Sequence, residues 1–187
     1  STIGFLPRQD AQLNSLTLDV VKSSEIEGEH LNYDQVRSSV AIRLGIEAGG
    51  LTTEDRRVDG VVDMVLDATV NFLSPITKER LCGWHAALFP TGYSGPYKIE
   101  VGRYRTGEMQ IVSGAMGKEK VHYVAVEAAR VSQEMDIFID WLNSDVPMDP
   151  VLKAAVAHFW FIIIHPFDDG NGRIARAISD LFLARSE

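Results

Sequence analysis

Apolar residues recur at helical spacing along most of the chain. Leu13, Leu16, Val20 and Val21 predict a helix from about Ala11, with Gly28 where it should stop. Residues 1–10 read as an extended lead-in broken by Gly4 and Pro7. Val36, Val40, Ile42 and Leu44 predict a second helix, capped by Asn32 or Asp34 and broken at Gly49-Gly50. A third is expected from about Thr53 to Phe72, its core face made by Val58, Val61, Val62, Val65, Leu66 and Val70. Ser74-Pro75 closes it, and Thr77 caps a fourth over 78–89. Pro90, Gly92, Gly95 and Pro96 then demand a loop.

Beyond that loop the period changes. Lys98 to Val101 alternate, and Arg103-Tyr104-Arg105 and Met109 to Val112 flank Thr106-Gly107-Glu108, which predicts a small β-hairpin over 98–114. Gly114 and Gly117 open another loop. Helical spacing returns over 124–143 through Val131, Met135, Phe138, Ile139 and Leu142. Asp149-Pro150 is a cap followed by proline at the first helical position. The helix it starts, 151–164, is apolar almost all round and should be central and buried, with Pro166 ending it. A last helix over 171–185 turns Ile174, Ala177, Ile178 and Leu181 inward. The expected fold is mainly α, a single-domain helical bundle around one buried helix, with one hairpin.

Composition narrows the function classes. The 187 residues are 45% hydrophobic and 24% charged, an ordinary globular balance. A net charge of −8 argues against nucleic-acid binding and docking on anionic membranes, though not against a local basic pocket. The single cysteine, Cys82, allows no internal disulfide and suits a reducing compartment. No charged stretch leads into an apolar core at the amino terminus, so no signal peptide and a cytoplasmic location are expected. The longest apolar run, about eleven residues, is too short to span a bilayer. The chain begins without methionine and stops soon after its richest motif, as a piece of a longer protein would.

That motif is residues 165–176, His-Pro-Phe-Asp-Asp-Gly-Asn-Gly-Arg-Ile-Ala-Arg. His165 can accept a proton near neutral pH. Gly170-Asn171-Gly172 opens a helix, where free N–H groups and the helix dipole favour an anion. Arg173 and Arg176, one helical turn apart, can clamp the same anion. Asp168 and Asp169 would repel a phosphate unless a cation lies between, and Mg²⁺ held by a carboxylate and phosphate oxygens meets that need. The residues therefore describe a Mg²⁺-bound nucleotide beside a histidine able to activate a hydroxyl for attack on phosphorus.

The stretch resembles the signature of the Fic family, His-x-Phe-x-[Asp/Glu]-Gly-Asn-Gly-Arg-x-x-Arg, at every specified position. The resemblance implies a protein adenylyltransferase that moves AMP from ATP to a hydroxyl of a target protein. It implies His165 as the base, Asp169 as the Mg²⁺ ligand, Gly170, Asn171 and Gly172 as the anion hole, and Arg173 and Arg176 as phosphate contacts, with Arg176 on the γ-phosphate. The hairpin over 98–114 resembles the family's flap, which pins the target by strand addition and would set Ile111, Val112, Ser113 and Gly114 beside the nucleotide. The segment over 121–143 resembles the helix that follows the flap. The family places further nucleotide contacts after the last helix, so the adenine and ribose contacts stay partly unassigned.

A second stretch, Ser23-Ser24-Glu25-Ile26-Glu27-Gly28, fits the family's inhibitory pattern [Ser/Thr]-x-x-x-Glu-[Gly/Asn]. The resemblance implies the family's class II arrangement, with an inhibitory helical segment over 10–50. The resemblance implies that Glu27 pairs with Arg176 and so competes with the γ-phosphate, with Ser23 and Gly28 completing the motif. Glu25 and Glu29 are expected to be exposed. Two other readings stand beside AMP transfer: removal of AMP from a modified protein, with Glu27 assisting a water, and a non-catalytic module that binds nucleotide or protein. A relative that transfers a different phosphate-containing group is a further variant, disfavoured by the intact Gly-Asn-Gly-Arg. The implied partner is a protein substrate on the flap, and self-modification and a homodimer are compatible with it.

Overall fold

The computed structural model describes residues 5–46, 55–113 and 120–186. Gly49-Gly50, Thr53, Gly114 and Gly117 lie outside these residues. Helix α1 (Phe5–Ile26) begins well before Ala11, so part of the expected extended lead-in is helical. Pro7 sits in its first turn, where a missing N–H removes no intrahelical bond. In α2 (Tyr33–Leu44) the capping residue is Asn32, whose side chain accepts from Gln35 N, and the helix ends at Gly45. Asp55 caps α3 (Arg56–Val70) and Thr77 caps α4 (Lys78–Leu88). Gly60 lets these two helices meet, because a Cβ there would stand 1.8 Å from the Ala87 carbonyl oxygen.

The hairpin differs from its expected register. Residues 93–98 form a minimal ladder, β1 (Tyr93–Ser94) with β2 (Tyr97–Lys98). The longer ladder pairs β3 (Gln110–Ser113) antiparallel with β4 (Lys120–Val124), not with 103–105. The reason is where Arg105 spends its donors. Its backbone N–H bonds Pro166 O at 2.8 Å, and its guanidinium bonds carbonyls near the same turn, which leaves 103–105 no ladder to join. The helix expected over 124–143 starts later. Val121 and Tyr123 suit a strand. A 3₁₀ turn (Ala128–Arg130) then leads into α5 (Val131–Asn143).

Asp149 caps α6 (Pro150–Ile164), accepting from Val151 N and Leu152 N. The expected central helix is α6, but its burial is one-sided. Ala154, Ala157, Phe161 and Ile164 are buried, while Val151, Leu152, Val156 and Phe159 are exposed. Helix α7 (Asn171–Ala184) packs most extensively on α6 and then on α3. Leu13, Leu16, Val20 and Val21 bring α1 into the same core as Phe138, Phe161 and Phe167. Arg185 donates to Phe72 O and Ser74 O, which ties the end of α7 to the turn between α3 and α4.

Candidate active site at the start of the last helix

The turn between α6 and α7 is built by its own side chains. Asn171 is buried, and its amide bridges both backbone groups of Phe167: Oδ1 accepts from Phe167 N at 3.0 Å and Nδ2 donates to Phe167 O at 2.8 Å. Phe167 is fully buried and stacks on His85, with ring centroids 4.3 Å apart. Gly170 adopts φ 77°, a left-handed conformation that only glycine takes without strain. A Cβ on it would also press on Phe89, 2.9 Å away. The resemblance implied Asn171 as part of the anion hole, yet its side chain holds the loop, and only its backbone N–H is left for an anion.

His165 caps the carboxyl end of α6 at φ 51°, the one non-glycine residue in the left-handed region among those described. Its carbonyl oxygen accepts from Arg105 Nε at 2.7 Å. Arg105 is buried, and it also donates to Gly107 O, Val126 O and Ile164 O. This arginine closes the end of α6 and fixes the strained histidine behind it. On the ring, Nδ1 lies 3.3 Å from Ile162 O, which can only accept, so Nδ1 carries the proton and Nε2 keeps a lone pair. Burial holds the imidazole below its usual pKa, with the Arg105 cation adding to the effect. The ring is therefore neutral at physiological pH and can accept a proton.

Asp169 Oδ1 accepts from Gly170 N at 2.6 Å, and Oδ2 accepts from Ser94 Oγ. Ser94, at the end of β1, thus orients this carboxylate. Asp168 instead accepts from Glu100 N at 2.9 Å. Among the described residues no three of His, Cys, Asp and Glu gather as a metal cluster. One oriented carboxylate fits Mg²⁺, which takes few protein ligands and fills its shell with water and substrate phosphates.

The second stretch meets this site. Arg176 Nη2 donates to Glu27 Oε1 at 2.7 Å and to Ser23 O at 3.0 Å, and Arg176 Nε donates to Ser23 Oγ at 2.8 Å. A Cβ on Gly172 would lie 2.0 Å from Glu27 Oε1, so the carboxylate rests directly on the glycine turn. Gly28, at φ 78°, ends α1 in a Schellman turn, with Gly28 N bonded to Glu25 O and Glu29 N to Ser24 O. Glu29, exposed as expected, is not idle: it accepts from Arg173 Nη1 at 2.7 Å. Sequence reasoning missed this pair, because nothing local marks Glu29 as facing a helix 144 residues away. Ile111, Val112 and Ser113 lie on β3, and Gly114 is outside the described residues.

The Fic/DOC family model matches residues 75–183, and a model described as a domain of unknown function, DUF4172, matches 1–46. Protein adenylyltransferase fic-1 of Caenorhabditis elegans is 31% identical over 180 residues, covering 90% of this chain and 32% of that protein. Protein adenylyltransferase Fic of Nematostella vectensis is 25% identical over 187 residues, covering 98% of this chain and 41% of that protein. This chain thus spans less than half the length of either curated relative. A crystal structure of a Fic family protein from Desulfovibrio desulfuricans G20 has a TM-score of 0.64 at 26% identity, over 97% of this chain and 53% of that one.

Proposed function

This chain belongs to the Fic/DOC family, and on that premise we propose that it is a Mg²⁺-dependent protein adenylyltransferase held inactive by Glu27. The observation that carries the reading is a carboxylate seated in an anion site. Glu27 rests on the Gly172 turn and pairs with Arg176, beside a neutral histidine with a free ring nitrogen.

Each group has a role in the reaction. His165 Nε2 takes the proton of a target hydroxyl. The freed oxygen forms a bond to the α-phosphorus of ATP as the bond to the bridging oxygen breaks, and pyrophosphate leaves. The N–H groups at the start of α7 and the guanidinium groups of Arg173 and Arg176 hold the phosphates and the charge that develops on them. Asp169 would hold Mg²⁺, which neutralises phosphate charge when bound. The relatives named adenylyltransferase support this assignment. The edge of β3 is the surface a protein target would extend, as an added strand.

Glu27 blocks the reaction by occupation. While it holds Arg176, a triphosphate loses one of its clamps, and the α-phosphorus is not presented in line with the incoming hydroxyl. A misplacement of about 1 Å costs on the order of 10²-fold in rate. The test is AMP transfer from labelled ATP with Mg²⁺ in wild type, Glu27→Gly and Glu27→Gly/His165→Ala, read on the chain itself and on lysate proteins. We expect weak labelling in wild type, at least tenfold more in Glu27→Gly, and none in the double variant. If Glu27→Gly stays as silent as wild type while still binding ATP, AMP transfer is not the activity. AMP release from a modified protein is then the next reaction to assay.

A further inference from the structure

The inhibitory pattern ends at Gly28, but the turn does not. The left-handed Gly28 places Glu27 and Glu29 on either side of it as the capping residue and the second residue beyond. Their carboxylates meet Arg176 and Arg173, which stand one turn apart on α7. Glu25, on the preceding turn, instead pairs with Lys22, so the acidic residues here do not all face the site.

Arg173 is the more demanding partner. It is 3% exposed, and its guanidinium lies over the Phe89 ring at 5.1 Å. Its Nε is buried without a hydrogen-bond partner among the described residues. A buried cation with an unspent donor needs an anion, because an unpaired charge away from water is costly. Glu29 supplies that anion from a side chain that is 44% exposed. The carboxylate can therefore swing into water at small cost, while the guanidinium has nowhere to go. An exchange of anions at Arg173 moves Glu29 and leaves the site intact.

We infer that Glu29 is a second competitor for the anion site: the turn after α1 presents two carboxylates, one on each arginine, as a paired anion that a polyphosphate must displace. The two differ in consequence. Glu27 rests on the glycine turn as well as on Arg176, so its removal frees the nest and the presentation of the α-phosphorus. Glu29 touches the site through Arg173, so its removal acts on affinity. The inference rests on the polyphosphate reading of the site, but not on the transfer reaction.

The test is binding by the full chain of three probes: inorganic tripolyphosphate, ATP and uncharged adenosine. Glu29→Gln is compared with wild type, with Glu27→Gln, with the double variant and with Glu25→Gln as a control on the preceding turn. Loss of one competing charge-assisted bond should tighten tripolyphosphate and ATP about tenfold in Glu29→Gln and leave adenosine unchanged. The double variant should exceed either single change, and Glu25→Gln should match wild type. Glu29→Ala should behave as Glu29→Gln does. Tighter tripolyphosphate without ATP binding in any variant would uphold the paired anion and reject the nucleotide reading. Polyphosphate affinity within twofold of wild type in Glu29→Gln and Glu29→Ala would overturn it, as would an equal gain in Glu25→Gln.

Discussion

Single side chains on α7 work against stability as well as for the site. The Asp180 carboxyl is pushed up to about 6 by burial and by the charge of Asp19 on α1, while Arg176 pulls it down. Burial raises Asp19 in turn. The sign follows from the direction of the shift. A carboxyl whose folded pKa lies above its unfolded value contributes stability that is complete below about 4 and is lost as pH rises through about 6. At pH 7.5 the charge therefore costs about 1–2 kcal/mol, once solvent screening is allowed for. Asp180→Asn should raise the melting temperature at pH 7.5 by several degrees and bring no gain at pH 4, measured by scanning calorimetry at both. An equal gain at both would mean that charge is not the cause. At this scale the sequence was legible wherever the chemistry is local. His165, Asp169, Arg173 and Arg176 stand out by type and spacing and Glu27 only through the family resemblance, whereas the bridge from Asn171 to Phe167 depends on a turn the sequence does not describe.

Between elements, Arg105 joins the loop before β3 to the end of α6. Four carbonyl oxygens accept from one guanidinium, and the backbone N–H adds Pro166 O. Removing the side chain leaves buried carbonyls unpaired, at about 1–3 kcal/mol each, and frees His165 from its left-handed conformation. Arg105→Met should lower kcat of the Glu27→Gly enzyme about tenfold or more. It should also move the acid limb of the rate profile to higher pH, because a cation that depresses the His165 pKa is gone. Arg105→Lys should not rescue the rate, since one ammonium cannot reach four divergent acceptors. A lower kcat with an unmoved acid limb would assign Arg105 to folding alone. The pairing expected within 98–114 does not form for this same reason. Alternation in the sequence reports strand propensity, but the partner of a strand is set by what else claims its hydrogen bonds.

For the molecule as a whole, α1 is part of the core and not an appended strap. Leu13 and Val20 are fully buried, and Ser24 is buried one turn before Glu27. On the proposed reading, release of Glu27 and Glu29 would then involve the Schellman turn and not departure of the helix. Hydrogen exchange should place the amides of 13–24 with α3 and α7 among the slowest, with 27–31 exchanging faster than these and faster still in the Glu27→Gln/Glu29→Gln chain. Fast exchange across all of α1 would mean that the helix leaves as a unit. By itself the sequence determined the helical class, the caps at Thr77 and Asp149 and the turn over 165–172 between the last two helices, and it offered Asn32 beside Asp34 as the cap of α2. Each of these is written in residues close together in the chain, where spacing and local hydrogen bonding decide the outcome. Tertiary structure alone decided that β3 pairs with β4, that Arg105 locks His165, that α6 buries one face, and that Glu29 meets Arg173. The contacts of Arg105 and Glu29 join residues 60 and 144 positions apart, where burial, which removes water as a competing partner, selects them, and the strand partner and the buried helix face follow from what packs around them.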